Sequence, residues 1–217
     1  MIKMENTSHK IITISRQIGS GGAYVGQQLA KKLNFSYVDR EIISQAAKEF
    51  SMLEEDLESR DEKVPSFWQS FLQSSICSPD VYLPPQVFVP TEEAIFKVES
   101  EIIKGIAKDR SAIIIGRCGS HILRDNPNHI SIFLHAESQF RQKRIKALYH
   151  LSNIEAHKML EQSDDERARY HQLLTGKSWS DATQYDLCMN TSKLGIDFSI
   201  ELIAQILNTH SPLLDSR

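Results

Sequence analysis

A β-branched run, a glycine-rich turn and an amphipathic helix follow one another within the first 33 residues, and this order constrains the fold more than any other feature. Lys10-Ile11-Ile12-Thr13-Ile14-Ser15 reads as a buried strand, bounded by Arg16-Gln17-Ile18-Gly19-Ser20-Gly21-Gly22. From Ala23 to Leu33 the period changes. Val25, Leu29 and Leu33 stand four apart with Gly26 and Ala30 beside them, which makes one apolar helical face. Glycines between a strand and a helix let successive backbone N–H groups point inward, and the helix N-terminus adds partial positive charge. A tight turn used only for packing has similar glycines; the strand–loop–helix context favours a phosphate cradle at Gly19, Ser20, Gly21, Gly22, Ala23 and Tyr24.

The same alternation continues down the chain. Further strands are expected at 35–39, 111–115, 130–134 and 185–189, with helices at 40–50, 91–108, 137–151, a polar stretch ending at Gly176, and 198–207. Ser51 and Glu54 have the spacing of a capping box. Strands alternating with helices pair in parallel through right-handed crossovers, so the expected fold is an α/β three-layer sandwich with a five-stranded parallel sheet. Residues 60 to 90 break the pattern with five of the seven prolines, and read as an irregular insertion that covers substrate. A disordered surface loop is the other reading, weakened by Phe67, Trp68, Phe71 and Phe88, which need burial.

Ligands in such sheets sit at the carboxyl ends of the strands. Those ends carry Ser15-Arg16, Asp39-Arg40 and Gly116-Arg117, so three cationic side chains converge on one edge. Local cations matter here because the net charge is −3, which gives no global pull towards nucleic acid or an anionic membrane. No apolar run approaches the ~20 residues that span a bilayer, and the first ten residues lack a signal peptide's apolar core. Cys77, Cys118 and Cys188 are odd in number and far apart, which fits a reduced, cytoplasmic setting. The eight histidines show no metal-binding spacing.

Six segments, ISRQIGSGGAYVGQQLAKKL, FSYVDREII, AIIIGRCG, ISIFLHAESQFRQKRIK, DDERARY and WSDATQYDLCMNTSKLG, resemble in kind and order the motifs of nucleoside monophosphate kinases, specifically the cytidylate kinase-like family. The resemblance covers most of the chain except residues 55 to 90. It implies one domain, with a core at about 10–50, 91–150 and 185–209, an acceptor-side insertion at about 51–90 and a lid at about 151–184. It also implies ATP with Mg²⁺ as phosphoryl donor and a small nucleotide acceptor, CMP or dCMP. Arg117 resembles the arginine that holds the acceptor monophosphate. Arg40, just beyond the second strand, is placed to reach the acceptor too, or is a solvated residue of the next helix's first turn. Arg167 of the lid takes a transition-state role, with Arg169 behind it, and Arg141 and Arg144 face ATP.

One departure is large. The usual phosphate loop ends Gly-Lys-[Ser/Thr], its lysine on the β/γ-phosphates and its hydroxyl on magnesium. Aligned on Gly19-Ser20-Gly21, the lysine position holds Gly22 and the hydroxyl position holds Ala23 or Tyr24. Arginine serves as a bidentate phosphate clamp, so Arg16 and the Arg167/Arg169 pair are the candidate replacements. Ser20 and Asp39 are the candidates for magnesium. Asp39, the best-placed carboxylate, is a candidate catalytic residue that orients the acceptor phosphate or a metal-bound water; alternatively it caps the next helix. Asp186 reads as structural, Cys118 as a buried inert thiol, and Trp179 and Tyr185 as anchors for the lid's return to the core. Asp164, Arg167 and Tyr170 share one helical face, which in a chain without this resemblance is an exposed salt-bridged helix. Besides a kinase for this or another acceptor, a non-catalytic nucleotide sensor and a pure interaction module stand as alternatives.

Overall fold

Five of the six residues of the first strand, β1 (Ile11–Arg16), are buried, as expected of a central strand covered on both faces. The computed structural model describes residues 9–39 and 92–209. β1 pairs in parallel with β3 (Ala112–Ile115) on one side and β4 (His129–His135) on the other; β2 (Ser36–Val38) extends the sheet beyond β3, and β5 (Leu187–Asn190) beyond β4. The order β2-β3-β1-β4-β5 is the five-stranded parallel sheet expected from the sequence. It brings the ends of β1 and β3 together, which positions the site.

The helices are α1 (Gly22–Leu33), α2 (Glu92–Asp109), the short α3 (Gly119–Ile122), α4 (Ser138–Tyr149), α5 (Asn153–Thr175), the short α6 (Thr191–Leu194) and α7 (Ile196–Thr209). Alternation along the strands sends Ile12, Ile14, Ile113, Ile115, Ile132 and Leu134 to one face. There they meet Val25 and Leu29 of α1 and Ile200 and Ile203 of α7 in one apolar cluster. The opposite face is met by α3, whose Gly119 packs against Thr13 and Ile114, and by a cluster of Phe133, Trp179 and Tyr185. Two compact units divide the chain: residues 1–39 with 103–217, and 40–102. All site geometry below belongs to the first unit. The expected helix at 40–50, the 51–54 capping box, the insertion and Arg40 lie outside the described residues.

Two boundaries differ instructively from the sequence reading. β5 begins at Leu187, not Tyr185, because the two preceding residues are otherwise engaged. Tyr185 closes a 3₁₀ turn (Ala182–Gln184), and Asp186 Oδ2 accepts bonds from the backbone N–H (2.8 Å) and hydroxyl (2.7 Å) of Ser131. α7 begins two residues early, directly after Gly195 at φ +82°. The polar helix α5 starts on a Ser152–Glu155 capping box that the sequence reading passed over, and stops at Gly176 in the left-handed conformation as expected. Among the described residues no helix is long and apolar enough to cross a membrane.

Asp186 thus has the structural role its sequence position suggested. Replacing it by alanine strands the N–H and hydroxyl of Ser131, which is itself 5% exposed. Losing acceptors for buried donors costs about 1–3 kcal/mol. A urea melt of Asp186→Ala is expected to show a midpoint lowered accordingly with an unchanged slope; an unchanged midpoint contradicts this role.

Candidate active site

The loop after β1 is held open from below. Gly19 (φ +80°) and Gly21 (φ +89°) take left-handed conformations that turn the chain sharply into α1. The first intrahelical bond runs from Val25 N–H to Gly21 O at 2.9 Å, so the amides of Gly22, Ala23 and Tyr24 lie outside the helical ladder. Gly21, as N-cap, offers no side-chain acceptor to them. The result is a group of uncapped donors at the positive end of a helix dipole, with Ala23 and Tyr24 exposed. The Ser20 hydroxyl is different. Ser20 is fully buried and its Oγ donates to Gln17 O at 2.8 Å, which turns it away from the metal role expected of it.

The loop's underside is fastened by residues remote in sequence. Ile18 N–H donates to Asp164 Oδ1 at 3.0 Å. Ser20 O accepts from the buried Thr191 hydroxyl at 2.8 Å, and Gln17 Oε1 accepts from Ala136 N–H at 3.2 Å. Arg141 is spent in the same fastening: Nε donates to Ala136 O at 3.1 Å, and Nη1 to Ile18 O at 3.3 Å and Asp164 Oδ2 at 2.5 Å. Its guanidinium thus lies against the phosphate loop, with these donors engaged by the protein itself. Arg144, one turn further on, is half-buried.

Three arginines gather at the ends of β1 and β3 and on α5. Arg16, Arg117 and Arg167 line one cleft of about 50 Å³, with Ser15, Tyr170 and Trp179 among its other walls. Burial pushes the Arg16 guanidinium down to about 10, and neighbouring Arg167 pushes the same way; Asp39 and Tyr37 oppose, and Arg117 adds a smaller push down. Burial also lowers Arg167, against the pull of Asp164, Glu166, Tyr149 and Asp39. Cations forced together and partly dried in this way favour an incoming anion. Asp39 is one nearby carboxylate, besides Asp164, and accepts a 3.3 Å bond from the Tyr37 hydroxyl. Burial and Asp39 together raise Tyr37 to about 12, so it remains the donor at neutral pH. Arg117 and Cys118 (φ +53° and +52°) follow Gly116 (φ +72°) in a three-residue left-handed run that turns the chain out of β3. Non-glycine residues there cost roughly 1–2 kcal/mol each, a strain typical of functional turns.

The family model described as cytidylate kinase-like matches residues 11–193. The chain belongs to the cytidylate kinase-like family. Among solved structures, it is similar over 96% of its length to an uncharacterized protein from Eubacterium ventriosum ATCC 27560, at 25% identity, 100% coverage of that chain and a TM-score of 0.64. It also shares its fold with TT1252 from Thermus thermophilus (14% identity, 93% of this chain, 98% of that one, TM-score 0.52). A gluconokinase from Sinorhizobium meliloti 1021 is similar in fold as well (11% identity, 94% and 98%, TM-score 0.51). A search of curated proteins gave no match.

Within this family frame the glycine at the lysine position has a structural cause. A Cβ on Gly22 would stand 2.7 Å from both Cβ and Cγ of Arg16, and a Cβ on Gly116 would fall on Arg16 Nη1. Arg16 therefore lies across Gly22 and delivers its guanidinium to the end of β3, through space that larger residues at 22 or 116 would fill. The remaining expectations divide. Arg16, Arg117 and Arg167 come together, with Asp39 in their field. Arg169 does not join them: two residues round the helix from Arg167, it is exposed. Cys118 is buried, as expected. Tyr185 stacks on Phe133 (5.0 Å) and donates to Trp179 O at 2.8 Å, which makes the aromatic pair an anchor between the end of α5 and the sheet.

The residues fit a triphosphate and fit magnesium only partly. Uncapped amides and the arginine cluster suit phosphate oxygens. Among the described residues no group of three metal-ligating side chains occurs. Asp164 and Thr191, which fasten the loop, were missed as loop ligands: each lies more than 140 residues from its partner, and no spacing rule reaches that far.

Proposed function

We propose that this chain is an ATP-dependent phosphotransferase whose acceptor is a nucleoside monophosphate, with CMP and dCMP as the first candidates. The observation that carries the reading is Arg16: it crosses the position of the missing lysine and joins Arg117 and Arg167 around one cleft. The loss of the lysine therefore leaves a charge-bearing group beside the loop, not a gap. The family match supports the nucleotide acceptor, and the uncapped amides support the donor's phosphates.

The chemistry assigned to each residue follows from placement. The amides of Gly22, Ala23 and Tyr24 hold the donor's phosphates through the helix terminus. Arg117, at the end of β3, holds the acceptor's phosphate. Arg16 and Arg167 flank the transferring group, where charge spreads over its equatorial oxygens. An acceptor oxygen forms the new P–O bond as the bond to the β,γ-bridging oxygen breaks, and ADP leaves. Magnesium supplies charge neutralisation across the donor phosphates when bound. Asp39, oriented by the Tyr37 hydroxyl, is the protein's candidate ligand for it.

A coupled assay of ADP formation across the common ribo- and deoxyribonucleoside monophosphates tests this reading. Acceptor-dependent ADP release with at least one of them is expected. Absence of release with every one, in a protein whose melting temperature ATP still raises, would replace the kinase by a nucleotide sensor.

A further inference from the structure

The proposed chemistry needs Arg167, on α5, and the amides of the glycine loop to hold one mutual geometry, yet the two come from segments about 150 residues apart. One carboxylate joins them. Asp164 is 17% exposed at its side chain and lies one helical turn before Arg167. Its Oδ1 accepts from Ile18 N–H at 3.0 Å and stands 3.7 Å from Arg167 Nη1. Its Oδ2 takes Arg141 Nη1 at 2.5 Å, and the same Nη1 reaches Ile18 O at 3.3 Å. Both backbone polar groups of Ile18 are thus bound by one ion pair. Arg167 Nη1 in turn donates to Ser163 O (3.0 Å) and Oγ (2.5 Å), which with Asp164 fixes one side of its guanidinium.

From this geometry we infer that Asp164 is a positioning residue that clasps α5 to the phosphate loop, so that Arg167 and the loop amides meet a phosphoryl group as one unit. The inference rests on the kinase reading above for its catalytic consequence, but the clasp itself is independent of it. An exposed ion pair of this kind contributes little. Here both partners are largely buried, and each makes further bonds to the loop backbone, so the charge-assisted network is strong and directional. Breaking it leaves the fold's sheet untouched and loosens only the join between loop and helix.

Asp164→Asn is the test. The amide keeps the shape and one acceptor for Ile18 N–H, but presents either a donor to Arg141 or a donor to Ile18. Three readouts are taken: amide hydrogen exchange at residues 17–22, kcat and KM for ATP, and melting temperature. Expected are exchange at Ile18 faster by about 10- to 100-fold with β1 unchanged, and a kcat lowered by a similar factor, for the loss of a charge-assisted bond. KM for ATP is expected to change by less than about threefold, because Arg167 acts on the transition state more than on bound ATP. Arg141→Lys breaks the same clasp from the other side, and serves if the first variant does not fold. Unchanged exchange at Ile18 in a folded variant overturns the clasp. A lower melting temperature with unaltered kcat overturns its catalytic role. If wild type transfers no phosphoryl group at all, the kinase reading fails, while the exchange at Ile18 still decides the clasp.

Discussion

Replacing Arg16 by methionine is expected to slow phosphoryl transfer by about a thousandfold or more, the scale of losing a transition-state arginine, without lowering the melting temperature. The two halves of this expectation have one cause. Methionine keeps an unbranched apolar stem across Gly22 and removes only the charged end. That end is held at a cost. Burial and the repulsion of Arg167 push its pKa from the ordinary guanidinium range down to about 10. Above that value the unfolded chain binds the proton more tightly than the folded one, so stability rises as pH climbs past 10. Below pH 10 both states keep the proton and the penalty is fully present. At neutral pH the methionine variant escapes it. Phosphate arriving between the arginines relieves the same penalty in wild type, so ATP is expected to raise the melting temperature of wild type more than that of the variant. Paired measurements of kcat/KM and of melting temperature with and without ATP check this. Full activity in the variant, or a clear drop in its melting temperature without ligand, contradicts it.

The second large effect comes from restoring the residue the loop lacks. Gly22→Lys is expected to abolish most activity, not to improve it. The new Cβ would lie 2.7 Å from Arg16 Cβ and Cγ, atoms near the backbone and not the flexible end of the side chain, so something must shift. Overpacking of this kind costs about 1–3 kcal/mol, and displacing Arg16 removes the cation from the cleft. The swap Arg16→Gly/Gly22→Lys removes the clash and places one cation back beside the loop. It is therefore expected to melt above the single Gly22→Lys variant and to recover part of its lost turnover, a coupling of opposite sign to additive damage. A Gly22→Lys protein as active as wild type would show that Arg16 does not occupy the lysine's place.

Much of this architecture was legible in local patterns. The buried run of β1, the four-residue period of α1 and the stop at Gly176 follow from spacing and turn chemistry, and the structure shows each; Trp179 and Tyr185, expected to anchor the chain's return to the core, pack together on Phe133. The meeting of Arg16 and Arg117 was legible too, because parallel strands that neighbour one another end on the same edge. The exposure of Arg169 was also available from the helical period, which separates it from Arg167 by about 200°. What spacing could not reveal is how side chains are spent. Arg141 is expected beside the nucleotide, and the structure adds that its Nε and Nη1 are bonded to Ala136 O, Ile18 O and Asp164. Ser20 looked like a metal ligand, yet its hydroxyl closes on Gln17 O. Asp164 and Thr191 reach the loop only through tertiary packing, and the glycine at position 22 makes sense only once the path of Arg16 is known.

Transfer of a radiolabelled γ-phosphoryl group from ATP to a nucleoside monophosphate, followed in wild type and in Arg16→Met side by side, tests the central claim most directly. The account predicts that the label moves to the acceptor with wild type and moves about a thousandfold more slowly with the variant. Label that stays on ATP with wild type, or that moves equally fast with both proteins, contradicts it.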